Sequence, residues 1–286
     1  MLNSTALRRQ CKSAARLEIQ RGGLWKCIGA IALMAIPETL LSVAVNIKMN
    51  PAMELLNQMA LDETIDLSQY MEQVVTVYAY LGIFVLVSLL ILSPLQFGAL
   101  HFCMARAHGQ QGEMGDVVIG FSRLKKYLTA IKTDLCIVLF TLLWGVPLIG
   151  GATALSIALA ELVFRTTQSL NAFMGMMLLA VVLIIAAAIV VFARVMRYSA
   201  AYILLIEDEN MGSWRAVRES TRLFRKRTWE LFVFQMSFLG WELLSEMTMG
   251  LFGLYVFPYN NIAFIHYVDA LRAPEGVECI EPSIPA

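Results

Sequence analysis

Charge is what this chain has least of. Only 15% of its 286 residues are Asp, Glu, Lys or Arg, where an ordinary soluble domain carries about 25%, so a solvated globular surface cannot be drawn from this composition. Matched cysteines are missing too. The five cysteines show no paired spacing, and Cys27, Cys103 and Cys136 sit in or beside hydrophobic runs, so no disulfide framework is expected. No glycine-rich phosphate loop, nucleophile elbow or zinc-protease helix motif occurs. The expectation is therefore a chain that is not an enzyme and takes no cofactor. The first 23 residues are basic but have no apolar core followed by a small-residue cleavage site, so they do not read as a cleavable secretory signal.

What is present is oil. Hydrophobic residues make up 58% of the chain and the mean hydropathy is +0.66, which places it among polytopic membrane proteins. The fold class expected is all-α: a bundle of six transmembrane helices in three hairpins, with cytoplasmic interfacial helices. A span needs about 20 apolar residues to cross roughly 30 Å of hydrocarbon. Six stretches qualify, at about 24–47, 74–105, 135–160, 173–196, 228–247 and 249–271. Pro94 is expected to kink the second. The last contains Gly253, Pro258 and the Asn260, Asn261 pair, so it reads either as a sixth span or as a broken, re-entrant element. Asn50, Pro51 and Glu54 look like the start of a short separate helix in the acidic segment between the first two spans. Residues 1–272 form one transmembrane domain in this reading, and 273–286, with three Pro and three Glu, a short flexible tail.

The neutral net charge hides a segregation of signs. Of the 22 Lys and Arg residues, all but Lys48 and Arg165 fall on one side of six alternating spans, which by the positive-inside rule puts both termini in the cytoplasm. Three times a basic stretch leads directly into an outgoing span, suggesting three hairpins each prefaced by a surface helix. In the first, Leu2, Leu7, Cys11, Ala14 and Ala15 can share a face of a short helix, the alternative being a loose basic tail. In the third, 207–230, Trp214, Val217, Thr221 and Phe224 recur at helical spacing while Arg215, Arg218, Arg222, Arg225 and Lys226 take the other faces. That is the pattern of a helix lying in a membrane surface.

Ionisable groups inside spans cost roughly 2.5–3.5 kcal/mol each at the helix centre, so each needs an explanation. Glu38 and Glu242 fall in the outer half of outgoing spans, with Glu246 one turn beyond Glu242, and form a candidate intramembrane polar site. Arg194 and Arg197 at the end of the fourth span join Arg215, Arg218, Arg222, Arg225 and Lys226 as candidate contacts for anionic phospholipid headgroups. His101, Cys103 and His108 have no fourth ligand nearby and wrong helical spacing, so no metal site is expected. Nucleic acid is not an expected partner, since nothing accompanies the basic charge that would read bases. Ser237 and Gly240 read as small residues for close helix packing, and Trp241 as packing or an aromatic-belt residue.

One further pattern runs through the second half of the chain: Arg197-Tyr198-Ser199 with Tyr202-Ile203, then Ser220, Phe232, Ser237-Phe238-x-Gly240-Trp241-x-Leu243-Leu244, Gly250, Gly253 and Pro258-Tyr259, with Ala15-Arg16-Leu17 and Trp25 earlier. By these residues the chain resembles the bacterial integral-membrane family catalogued as domain of unknown function 975. It departs from the family near Arg225, where a glycine is replaced, and at His266-Tyr267, where the family has Phe-Tyr. The resemblance implies a multi-pass protein of the bacterial cytoplasmic membrane and brings no activity or ligand. The function expected is a non-enzymatic accessory or interaction scaffold, its partners the lipid bilayer and a membrane protein or second copy of the chain. The alternative is a small transporter or lipid-handling permease using the intramembrane glutamates.

Overall fold

The computed structural model describes residues 4–22, 24–61, 67–110, 112–167 and 170–273. The expected flexible tail lies outside the described residues apart from Ala273, as do 62–66 of the acidic segment and Leu2 of the first surface helix. Every regular element is helical, and no strand occurs among the described residues. Four stretches are long and apolar enough to cross a membrane: Trp25–Pro51, Met71–Ala107, Leu124–Val163 and Met174–Glu207. They overlap the first four expected spans, the third beginning eleven residues earlier than expected and the fourth ending eleven residues later.

The chain divides into two compact units, one of Met1–Ile131 with Gly240–Ala286 and the other of Lys132–Leu239. In the first, α1 (Ser4–Gly22), α2 (Leu24–Leu61) and α3 (Leu67–Ala107) surround α11 (Gly253–Arg272). The core gathers at one end of the long helices. There α11 buries Val256, Tyr259, Ile262, Ala263 and Ile265, and α3 buries Leu95, Phe97, Phe102 and Cys103.

α1 places Leu7, Cys11, Ala15 and Ile19 on one edge, four residues apart, and all four are buried. α1 packs along α11. The apolar edge expected to face lipid is thus taken by protein, because a neighbouring helix offers the same relief from water; burying a Leu or Ile is worth about 1.5–3 kcal/mol. The Asn50, Pro51, Glu54 signal does not start a new helix either. Both Pro37 and Pro51 lie inside α2, since a missing N–H removes one bond of the ladder without stopping the rest.

A 3-10 helix, Met114–Phe121, lies against α3 and α2. Its approach to α3 needs glycine on both sides. A methyl group on Gly98 would sit 1.9 Å from the Val117 carbonyl oxygen, and one on Gly120 would sit 2.2 Å from that of Pro94. Only backbones without side chains meet this closely. The second basic stretch differs from its expected form: α4 (Leu124–Gly145) begins within it and runs on into the apolar span, so no separate surface helix forms there.

In the second unit the later part of α4 passes through a single π turn, Val146–Gly150, into α5 (Gly151–Thr167), which packs along α6 (Leu170–Val195). Glu161 and Arg165, which fall between the third and fourth expected spans, form an i,i+4 ion pair within α5. After α6 come a short 3-10 turn, Met196–Tyr198, then α7 (Ala201–Glu207), α8 (Ser213–Phe224) and α9 (Thr228–Met236).

The fifth expected span, 228–247, is not one helix. It consists of α9 and α10 (Leu239–Met247), nine residues each, and nine residues rise only about 14 Å. The break falls at Ser237, whose N–H bonds both Val233 and Phe234 carbonyls and whose hydroxyl donates to the Phe234 carbonyl. A hydroxyl that competes for its own helix's carbonyls favours such a stop. Gly240, expected to allow close packing, faces open space; the close approach is at Gly253, where a methyl group would meet Ser245 Oγ at 2.8 Å. α11 carries Asn260, Asn261, His266 and Asp269 and is not among the four apolar stretches.

Candidate functional site

The basic residues singled out in the sequence lie in the second unit, Arg194 and Arg197 at the turn between α6 and α7 and the other five on or just after α8. This turn leaves backbone groups without helical partners, and one side chain serves two of them. The Ser220 hydroxyl donates to the Arg197 carbonyl at 2.6 Å and accepts from the Ala200 N–H at 3.2 Å. α8 is thereby stitched to the turn, and Ala216, Val217, Ser220 and Phe224 are its buried face. Of the expected face of Trp214, Val217, Thr221 and Phe224, only Val217 and Phe224 are buried; Ala216 and Ser220 take the places expected of Trp214 and Thr221. Small side chains at 216 and 220 fit against the neighbouring helix and turn, while Trp214 stays half exposed with its ring 4.6 Å from that of Phe140.

The other end of the α7, α8 pair is tied to α4. Tyr202 donates to the Asp134 carboxylate, and the Thr133 hydroxyl donates to Ser213 Oγ at 2.9 Å. Between α7 and α8 the Asp208 carboxylate accepts the Asn210 N–H at 3.0 Å, an Asx turn that reverses the chain. Neither the contact of Tyr202 with Asp134 nor that of Arg194 with Trp144 is visible in spacing along the sequence.

Held on this frame, Arg194 lies with its guanidinium 4.4 Å from the centre of the Trp144 ring, a cation–π geometry. Arg197 Nε is buried and, among the described residues, has no hydrogen-bond partner. Arg215, Arg218, Arg222, Arg225 and Lys226 are exposed. Among the described residues, none of the seven makes an ion pair. Cations collected without counter-charges suit a multivalent anionic surface.

The acidic candidates belong to the first unit. Glu242 and Glu246 stand one turn apart on α10, both exposed, and Asn260 Nδ2 approaches Glu242 Oε1 at 3.4 Å. Trp241 packs at 6.4 Å from both Tyr255 and Tyr259, which stack on each other at 5.8 Å. Glu38 is exposed on α2, and among the described residues no hydrogen bond or ion pair joins it to Glu242 or Glu246. Of the three residues that tempt a metal reading, Cys103 is buried in the core and His108 Nε2 pairs with Asp269 Oδ2 at 3.2 Å. Among the described residues no three His, Cys, Asp or Glu side chains are grouped to hold a metal.

Several residues of the recurring pattern thus have a physical role. Arg197 and Ser220 share a hydrogen bond, Tyr202 anchors α7, Ser237 ends α9, and Trp241 packs against Tyr259. No curated protein and no solved structure matches the chain. The model of the family described as Protein of unknown function (DUF975) matches residues 6–275, nearly the whole length, and the chain belongs to that family.

Proposed function

We propose that this protein is a multi-pass protein of the bacterial cytoplasmic membrane that works without catalysis, as an accessory or interaction scaffold. The observation that carries this reading is the outward-facing oil of the long helices. Leu40 on α2 is 65% exposed, and Leu178 and Ile189 on α6 are 69% and 62% exposed. A surface this apolar needs lipid or a partner to cover it. Six membrane segments in three hairpins, with both termini cytoplasmic, account for the side-to-side partition of Lys and Arg. In that arrangement the two short helices α9 and α10 together make the fifth segment, and α11 the sixth, shielded by its neighbours. The exposed arginines of α8 then meet anionic headgroups, and a membrane protein or a second copy docks on the apolar flanks.

A second reading, a small transporter or lipid-handling permease, draws on the contact between Glu242 and Asn260. Two polar side chains on adjacent helices of one hairpin are a simple start for a proton or cation path.

Cysteine labelling with a membrane-impermeant maleimide in intact cells tests the arrangement. Arg165→Cys should label at once and Arg218→Cys only after permeabilisation; the reverse pattern overturns the topology. Solute flux in reconstituted vesicles that disappears with Glu38→Gln or Glu242→Gln would replace the scaffold reading with the transport reading.

A further inference from the structure

We propose that Arg106 is the recognition group of a phosphate-binding site in the unit built by α1, α2, α3 and α11. Arg106 stands in the last turn of α3 and is only 5% exposed. Its guanidinium carbon lies 5.5 Å from the centre of the Phe102 ring one turn back, which supports the cation from one side. Its Nε and Nη2 are buried and, among the described residues, have no hydrogen-bond partner. These two nitrogens point their hydrogens the same way from one edge of the guanidinium. Together they form a single two-pronged fork, the geometry that takes two oxygens of one oxyanion.

Nothing in the fold itself calls for this fork. Arginine does not shed its proton in a protein, and a buried cation with unmet donors is destabilising. It is not needed to close the helix end, where backbone alone suffices: Gln110 N–H bonds the Ala105 carbonyl at 2.8 Å and Gly109 N–H the Arg106 carbonyl at 3.0 Å, with Gly109 left-handed at φ 72°. That is a complete Schellman cap. The acid that α11 brings to the end of α3, Asp269, is occupied by His108. Among the described residues Arg106 makes no ion pair.

The depth of Arg106 along α3 favours phosphate as that oxyanion. Arg106 lies at the edge of the apolar stretch Met71–Ala107, the depth at which a span passes from hydrocarbon to headgroups. The phosphate would come either from a lipid headgroup or from solution. The choice of phosphate rests on the membrane reading above, which the labelling experiment tests separately.

The test uses the full-length protein purified in neutral detergent, with thermal unfolding followed during titration with inorganic phosphate, dioctanoyl-phosphatidylglycerol, dioctanoylglycerol and acetate. A saturable rise in unfolding temperature is expected with a phosphate-bearing probe and not with dioctanoylglycerol or acetate. Response to the lipid alone assigns a headgroup, and response to both assigns the phosphate group itself. Arg106→Lys, which keeps the charge and loses the fork, should weaken the response about tenfold, and Arg106→Met should abolish it. Without ligand, Arg106→Met should unfold at or above the temperature of the parent. The proposal is overturned if neither phosphate probe shifts the parent, if acetate or dioctanoylglycerol matches them, if both variants respond like the parent, or if Arg106→Met alone collapses the fold.

Discussion

The hydroxyl of Tyr127 donates to the carbonyl oxygen of Leu90 at 3.2 Å, and Leu90 is the residue four before Pro94. A proline inside a helix has no N–H for that carbonyl, so a side chain from the start of α4 supplies the missing donor to α3. The gap left by the proline is filled by the next helix.

This relationship makes a double-mutant prediction. Tyr127→Phe should destabilise the protein by about 1 kcal/mol. In a Pro94→Ala background, where residue 94 supplies its own N–H, the same change should cost much less. Unfolding in detergent mixtures would measure both, and equal costs in the two backgrounds would refute the coupling.

Ser220 serves a donor and an acceptor at once. Ser220→Ala leaves the buried Ala200 N–H and the Arg197 carbonyl without this partner, and a loss of about 1–3 kcal/mol is expected. Hydrogen exchange should rise at Ala200 before it rises in α6; uniform exchange would place the Ser220 contribution elsewhere.

The meeting of α3 with the 3-10 helix depends on Gly98. Gly98→Ala drives a methyl group into the Val117 backbone and should cost about 1–3 kcal/mol or more. Gly82, on the same helix, has nothing within 4 Å of its added methyl position. Gly82→Ala should leave the unfolding temperature unchanged or slightly raised, and if both alanines behave alike the close approach is not the cause.

The basic face of α8 is expected to sense anionic lipid. A spin label at Met211→Cys should lose mobility in nanodiscs when phosphatidylglycerol replaces phosphatidylcholine. Changing Arg215, Arg218 and Arg222 to Gln should remove most of that response, by about fivefold in lipid affinity per charge, and high salt should mimic the change. A triple variant that responds like the parent would separate α8 from the bilayer.

Residues 24–47 and 173–196 are legible as membrane-length helices because crossing hydrocarbon demands a long apolar run whatever the neighbours are. Arg215, Arg218 and Arg222 are legible as an exposed face for a similar reason, since a helix has a fixed period. The faces opposite are not. Leu7, Cys11, Ala15 and Ile19 fit a lipid surface and a protein groove equally well, and only the presence of α11 decides between them. Ser237 reads along the chain as a packing residue, whereas in the fold its hydroxyl ends a helix. Arg106 counts in the sequence only as one more charge at a helix end, because nothing along the chain reports that, among the described residues, no acid pairs with it.

Composition and periodicity alone therefore decide that this chain is helical, that it holds long apolar stretches, and how its charges are sorted, because those properties follow from each residue's own solvation and from helical geometry. Tertiary structure decides which side chain completes which backbone group: Tyr127 for Leu90, Ser220 for Arg197 and Ala200. Hydrogen bonds and close packing depend on distances of a few ångströms between residues far apart in the chain, and linear order carries no record of those distances.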